Sequence, residues 1–171
     1  MKNVAFIIAV VSLIGINPIF GQKSKLKVGK KAPSFDLPTL EGENIALDNL
    51  LIEKDYVLVH FFIGSWHSYD KKYLADLQTI YADFQAKNGE VIAITRDRAV
   101  FLKSLQSEIQ FEFPIGLDPD LQTMSSYSVV TKITSNYVPL KHKEYSALNE
   151  KHTGSKDDMI PIPATYLINK A

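Results

Sequence analysis

Hydrophobic and polar positions along the chain form blocks whose periods predict alternating strands and helices. Residues 56–62 are apolar on both faces of an extended chain, which is typical of a central strand covered on two sides. The next block carries large apolar residues at spacings of three and four, which predicts an amphipathic helix beginning near His67. These residues are Leu74, Leu77, Tyr81 and Phe84.

The alternation continues towards the carboxyl end. The pattern predicts a strand over residues 90–95, a helix over 99–109 and a short strand over 113–117, with a brief helix through residue 127. Asn88 and Gly89 are expected to end the preceding helix in the left-handed conformation. This order predicts an α/β domain with parallel β-α-β units and right-handed crossovers.

Before the central strand, two short extended pieces around Glu41 and Gly42 predict a hairpin, and residues 48–54 predict a short helical turn. Residues 130–156 are polar and rich in lysine, so we expect a solvated excursion from the domain. The alternative is a partner-binding or lid element, because long loops in compact domains are often functional.

The first 21 residues have the pattern of an export signal. Lys2 precedes an apolar run over residues 4–16, and cleavage after Gly21 would leave residues 22–31 as a mobile lead-in to a domain over residues 32–171. The alternative is an uncleaved membrane anchor, but the run is short for a span of about 20 residues. We therefore expect an exported protein, periplasmic or secreted, with no stable membrane span after cleavage.

Composition excludes several kinds of chemistry. The chain has 171 residues, which favours one domain, and lysine plus arginine balance aspartate plus glutamate at 19 each. No charge excess therefore points to a nucleic acid partner. The chain contains no cysteine, so it can form no disulfide, no nucleophilic thiolate and no thiolate metal site.

Separated segments of the chain resemble the thioredoxin-like redoxins, in the branch of alkyl hydroperoxide reductases and thiol-specific antioxidants (peroxiredoxin-like proteins). They are the hairpin pattern APSFDLPTLEG, the turn GSWHSYD after the central strand together with FPIGLDPDLQ, and the segment IPIPATYLIN. The resemblance implies a thioredoxin-like fold, with a central mixed sheet flanked by helices and an N-terminal hairpin. It also implies a last strand and helix beyond residue 171 that this chain does not supply. Either the sequence is truncated there, which we favour, or one sheet edge and one sheet face are less covered.

The resemblance also places the site. The family's two active-site cysteines fall on His67 and Asp70, and the helper threonine of its peroxidases falls on Gly64. It implies a cis peptide bond before Pro163, facing the turn, with a shallow groove at Trp66, Ile162 and Pro163. The groove is the expected binding surface for a peptide or a thiol-protein partner.

The residues at these positions leave alternatives open. Asp70 lies where a carboxylate is stabilised by the positive end of a helix, and His67 where a neutral imidazole is favoured. A metal site at His67 and Asp70 would need a third ligand from His60, His142 or His152, so no cofactor is expected. The other interpretation of His60 is a neutral histidine in the core. A hydrolytic His–Asp dyad acting with Ser65 or Ser68 has less support than the metal site.

Two functions therefore compete. The first is a binding or structural module on a redoxin scaffold that has lost thiol catalysis. The second is an altered or metal-dependent activity at His67 and Asp70 on the same scaffold.

Overall fold

A five-stranded mixed sheet organises the molecule, in the strand order β1-β9-β4-β5-β6. A computed structural model describes residues 26–134 and 141–170, together with the backbone of residues 6–10. The strands of this sheet are β1 (Phe6–Val10), β4 (Tyr56–Phe61), β5 (Gly89–Thr95), β6 (Ile115–Leu117) and β9 (Ala164–Asn169). Two-stranded sheets are formed by β2 (Asp36–Pro38) with β3 (Asn44–Ala46), and by β7 (Val130–Lys132) with β8 (Met159–Pro161). The helices are α1 (Leu47–Glu53), α2 (Ser68–Ala86), α3 (Ala99–Ile109), α4 (Gln122–Ser126) and α5 (His142–Thr153).

Both faces of the sheet are covered, as the uninterrupted apolar runs predicted. Along β5, Ile92 and Ile94 pack into one core with α1 and α4, while Val91 and Ala93 pack into a second core with α2 and α3. β4, β5 and β6 are parallel, and β9 is antiparallel to β4. The predicted α/β architecture with a mixed sheet and an N-terminal hairpin is therefore confirmed.

The sheet edge beyond β9 has a strand on it, so the alternative of a less covered edge does not hold for the chain with its first segment present. β1 pairs antiparallel with β9, with Phe6 opposite Asn169 and Val10 opposite Thr165. This strand comes from the apolar run of the predicted export signal, and its β-branched residues favour an extended chain. The rest of that segment, residues 1–5 and 11–21, lies outside the described residues, as do residues 22–25 of the lead-in.

The polar excursion is not simply solvated. It begins with β7, which pairs antiparallel with β8 just beyond its other end, and α5 between these strands buries Asn149 and His152 against the domain. The expectation of a solvated segment is wrong for this inner face, because His152 contacts Ser65 and Asp97 of the domain and Asn149 is buried away from water. Residues 135–140 lie outside the described part.

The peptide bond before Pro163 is trans, so the cis bond that the resemblance implied is wrong for this chain. The chain reaches Pro163 directly from β8, with Ile162 N–H donating to Val129 O at 2.7 Å, and continues into β9 at Ala164. An extended approach of this kind suits the trans isomer, which X–Pro bonds ordinarily prefer.

Candidate functional site

The turn between β4 and α2 lies at the carboxyl edge of the parallel strands. Because β4 and β5 are parallel neighbours, the residues that follow them, from Phe62 and from Arg96 onwards, meet at this edge. Ile63, Gly64 and Ser65 are buried there, and His67 N–H closes the turn by donating to Gly64 O at 3.0 Å. α2 begins immediately after His67.

Asp70 ties this turn to the first turn of α2. Its side chain is buried, and one oxygen, Oδ2, accepts hydrogen bonds from Ile63 N–H at 2.7 Å and from Gly64 N–H at 3.2 Å. The carboxylate therefore satisfies two buried backbone donors, in addition to the favourable field at the helix N-terminus. At the position expected for a second thiol, this chain has a structural acceptor.

His67 lies beside Asp70, as their spacing predicted. Its Nδ1 is 3.2 Å from Asp70 Oδ2, although no hydrogen bond of good geometry reaches Nδ1 from the described residues. His67 is the N-cap residue of α2 without a side-chain capping bond, and its ring contacts Trp66, Tyr69 and Tyr145. The imidazole is thus largely covered by aromatic rings.

A buried polar cluster lies directly under the turn, and the sequence reasoning did not find it. Ser65 Oγ donates to Asp97 Oδ2 at 2.6 Å, and Ser65 N–H donates to the same oxygen at 2.7 Å. His152 Nδ1 lies 3.1 Å from Ser65 Oγ and 3.4 Å from Asp97 Oδ2. The available signal was that Asp97 follows a buried strand at the carboxyl edge, where the β4–α2 turn also lies.

This cluster does not have the geometry of a hydrolytic triad. The Ser65 hydroxyl gives its one proton to Asp97, so His152 Nδ1 is the donor in its contact with Ser65 Oγ. A triad needs the histidine to face serine with one ring nitrogen and the carboxylate with the other. Here Nδ1 faces both, so Ser65 has no general base.

Gly64 has no room for the side chain that the peroxidases of the family carry. A Cβ at this position would lie 2.7 Å from Asp97 Oδ1 and 2.8 Å from Trp66 Nε1. Asp97 and Trp66 thus occupy the space that a threonine side chain at position 64 would need.

His60 belongs to the core rather than to the turn. Its Nδ1 is 2.9 Å from Thr165 Oγ1, and its ring stacks on Tyr73 at 4.3 Å between centroids. Burial lowers the pKa of His60 to about 3, although a backbone hydrogen bond with Ala164 opposes the shift. The ring is therefore neutral at physiological pH, as the core interpretation predicted.

Among the described residues, no three metal-binding side chains (histidine, aspartate or glutamate) come together. His67 and Asp70 give a pair, and Asp70 Oδ2 already accepts two amide protons. His60, His142 and His152 do not complete a ligand set with this pair. In the same part of the chain, no helix combines the length and apolar content needed to cross a bilayer.

The predicted groove residues lie at the same end of the sheet as the turn. Ala164 pairs with Phe61, so Pro163 is adjacent to the point where β4 enters the turn. Pro163 is exposed, Ile162 packs against the core beneath it, and Trp66 is half-buried under Tyr145. Trp66, which is expected to line the groove, is therefore covered by α5.

Comparison with known proteins gives a consistent picture. Residues 28–171 match the profile described as the AhpC/TSA family. The thiol-disulfide oxidoreductase ResA of Bacillus cereus is 29% identical over 111 residues, covering 64% of this chain and 62% of ResA. ResA of Halalkalibacterium halodurans is 23% identical over 142 residues, covering 82% of this chain and 77% of that protein.

Solved structures agree on the fold. Peroxidoxin BcpB from Mycobacterium tuberculosis superimposes with a TM-score of 0.60 at 14% identity, covering 81% of this chain and 75% of that one. The Bacillus cereus ResA match spans less than two thirds of that protein's length. The similarity therefore establishes the thioredoxin-like fold, and the activity of this chain has to be argued from its own site.

Proposed function

Because this chain belongs to the AhpC/TSA family and contains no cysteine, we propose that it is an exported binding module on a redoxin scaffold, without thiol catalysis. A sulfenic acid or a mixed disulfide needs a sulfur atom at the site, and neither His67 nor Asp70 supplies one. The observation that carries the proposal is the role of Asp70, whose carboxylate holds the turn at the position expected for a thiol.

The surface around the turn supports a binding role. Tyr69 is 69% exposed in the first turn of α2, next to the His67 ring, and Pro163 is exposed at the same end of the sheet. Aromatic side chains and proline offer contact area at a small entropic cost, which suits them to binding an extended peptide. Export is supported by the apolar residues 4–16 behind Lys2. Cleavage after Gly21 would remove β1 from the β9 edge of the sheet.

The single tryptophan of the chain makes binding measurable. Trp66 lies in the proposed groove, so its fluorescence should change saturably when an extended peptide or a reduced thioredoxin-like protein is titrated in. The variant Pro163→Glu should weaken this response at least about tenfold. The control variant Ile52→Glu, which changes an exposed residue of α1, should leave the response unchanged.

Activity assays test the loss of thiol catalysis separately. The purified protein should consume peroxide and reduce insulin disulfides, with dithiothreitol as reductant, no faster than buffer. Turnover above buffer would contradict the proposal. If neither the extended peptide nor the reduced thioredoxin-like protein changed the Trp66 fluorescence, only the proposed binding role would be contradicted.

The scaffold can be tested by restoring the sulfur atoms. The double variant His67→Cys with Asp70→Cys should regain some thiol–disulfide exchange, because the backbone N–H groups and helix end that stabilise a thiolate are retained. Asp70→Cys also removes the acceptor for two turn amides, so the single variant His67→Cys is the matched control for folding. A folded double variant that does not react would indicate that the turn geometry has drifted from that of the catalytic redoxins.

The alternative, an altered activity with a metal at His67 and Asp70, has one supporting observation. His67 Nδ1 lies 3.2 Å from Asp70 Oδ2 and has no well-formed hydrogen bond within the described residues. Elemental analysis of the native protein decides this alternative. Stoichiometric metal that is lost in His67→Ala would favour it over the binding module.

A further inference from the structure

α5 covers the β4–α2 turn with an unusually polar inner face. The two residues of this helix that are fully buried are Asn149 and His152, and Tyr145 is its half-buried aromatic contact. These three residues are spaced by four and three, so they form one stripe along the helix. Helices in proteins are held mainly by burying an apolar face, whereas the large apolar residues of α5, Tyr145 and Leu148, are only half-buried.

Unpaired polar atoms are concentrated at this contact. Eight buried side-chain atoms of the described residues lack a hydrogen-bond partner, and six of them belong to α5 or to the residues beneath it. The six are Trp66 Nε1, His67 Nδ1, Asp97 Oδ1, Ser146 Oγ, Asn149 Nδ2 and Asn149 Oδ1. His67 Nδ1 still faces Asp70 Oδ2 at 3.2 Å, but the other five atoms lose hydration in the covered state without gaining a protein partner, which weakens the contact.

The two ends of α5 are attached very differently. At its carboxyl end, the His152 ring stacks on Phe101 at 4.0 Å between centroids and reaches Ser65 and Asp97. Arg98 N–H donates to His152 O at 3.0 Å, and the Arg98 guanidinium donates to Lys151 O.

Towards its amino end, α5 is held by apolar and aromatic contacts of Tyr145, which packs with Trp66 against the buried cluster of Ile63, Ile133 and Ile160. The Tyr145 ring meets Trp66 at 5.1 Å and His67 at 6.2 Å between centroids. This end of the helix therefore has no polar anchor comparable to His152 among the described contacts.

We propose that α5 is a displaceable cover over the β4–α2 turn. The helix occupies the binding surface around Trp66 and His67, and the contacts of His152 with Ser65 and Asp97 form the latch that keeps it there. When the latch opens, water satisfies the unpaired groups, and Trp66 and His67 become accessible. The identity of a competing partner rests on the proposed function, but the opening of α5 does not. Access to the surface would then be set by the stability of the latch.

The absence of native cysteine allows a direct test. In His67→Cys the only thiol of the chain lies under α5, so its labelling by a maleimide reports the opening of the cover. Adding His152→Ala should accelerate labelling by at least about tenfold, because the latch to Ser65 and Asp97 is lost. Adding Asn149→Leu should slow labelling, because an unpaired buried amide is replaced by an apolar group of similar size.

Tyr69→Cys is the matched control, because it places the thiol on the exposed side of the same helical turn. Its labelling rate should be the same with and without the changes at His152 and Asn149. Equal labelling of His67→Cys in all three backgrounds would overturn the proposal.

Hydrogen exchange of the unmodified protein gives a second test that needs no folded His152 variant. The amides of α5 should exchange at least about tenfold faster than those of α2, through local opening. Protection of α5 equal to that of α2 would overturn the proposal, whatever the outcome of the peptide titrations.

Discussion

At the scale of single residues, the site is defined by His67 and Asp70, the residues at the positions expected for two cysteines. A thiolate at a helix end would be stabilised by backbone N–H groups, and Asp70 now accepts two such bonds from Ile63 and Gly64 through a buried carboxylate. His67 lies within 3.2 Å of the same oxygen, with its ring among aromatic side chains. His67 is thus in contact with Asp70, and Asp70 is hydrogen-bonded to the backbone of the turn.

Asp70→Ala should lower the free energy of unfolding by about 2–4 kcal/mol, because it leaves two buried N–H groups without an acceptor. Both bonds reach one oxygen, so the amide oxygen of Asp70→Asn can accept both, and this variant should lose less than half as much. Urea unfolding followed by circular dichroism measures the difference. Equal losses in the two variants would show that the charge of Asp70, rather than its acceptor geometry, stabilises the turn.

Gly64→Ala should be destabilising by about 1–3 kcal/mol, because its Cβ would lie within 2.8 Å of both Asp97 Oδ1 and Trp66 Nε1, which are buried. Gly116→Ala is the matched control. Its Cβ would meet the flexible end of Leu37 at 3.2 Å, so we expect a smaller loss on thermal unfolding. A Gly64→Ala variant as stable as the parent would mean that Asp97 and Trp66 move apart readily.

At the scale of elements, side chains that follow β5 attach the excursion to the domain. Arg96 is buried and donates to Asp157 Oδ1 at 2.9 Å, to Met159 O at 2.8 Å and to Pro119 O at 3.3 Å. Partial burial raises the pKa of Asp157, but hydrogen bonds from Arg96, Met159 N–H and Ser155 outweigh this and hold the pKa below its usual value. One guanidinium thus joins the start of β8 to the turn before α4.

Arg96→Met should lower the free energy of unfolding by about 2–3 kcal/mol, because two backbone carbonyls and a carboxylate lose their common donor. Asp157 is 42% exposed, so water limits the loss to this range. Lys71→Met, which breaks the exposed ion pair with Glu108 at 2.7 Å, is the control and should cost at most about 1 kcal/mol. Similar losses in the two variants, measured by urea unfolding, would contradict a special role for Arg96.

At the scale of the whole molecule, the sheet separates two apolar cores, and His60 is a buried titratable group within the central strand β4. Its ring is joined to β9 through Thr165 and to α2 through Tyr73, whose hydroxyl lies 3.0 Å from Thr165 Oγ1. Protonating this ring would place an uncompensated charge between strand and helix, so the stability of the fold should depend on pH.

The direction in which stability changes with pH follows from the lowered pKa of His60. The unfolded chain binds a proton at His60 below about pH 6.5, whereas the folded chain does so only near pH 3, so acid favours unfolding across this window. Between pH 6.5 and 4.5 the native protein should lose about 2–3 kcal/mol more than His60→Leu, at about 1.4 kcal/mol per pH unit. Tyr73→Phe retains the histidine and should retain the pH dependence. Identical pH profiles for the native protein and His60→Leu would contradict this assignment.

Much of the fold follows from local patterns. Residues 99–109 were predicted as a helix and form α3, and Asn88 ends α2 with a φ of 55°, because period and turn chemistry are local properties. The adjacency of His67 and Asp70 was also predictable, because three residues span about one helical turn. Ser65, Asp97 and His152 were not grouped, because 32 and 87 residues separate these partners from Ser65 and no local period connects them.

The amino-acid sequence alone is sufficient to show that thiol chemistry is absent and that strands and helices alternate, and the family resemblance assigns His67 and Asp70 to the positions of two cysteines. Those properties depend on residue identity and short-range spacing. The folded structure is needed to show that Asp70 holds the turn, that Pro163 follows a trans bond, and that α5 contacts the site through His152. Those outcomes depend on which distant groups meet when the chain closes, and burial then fixes their energies.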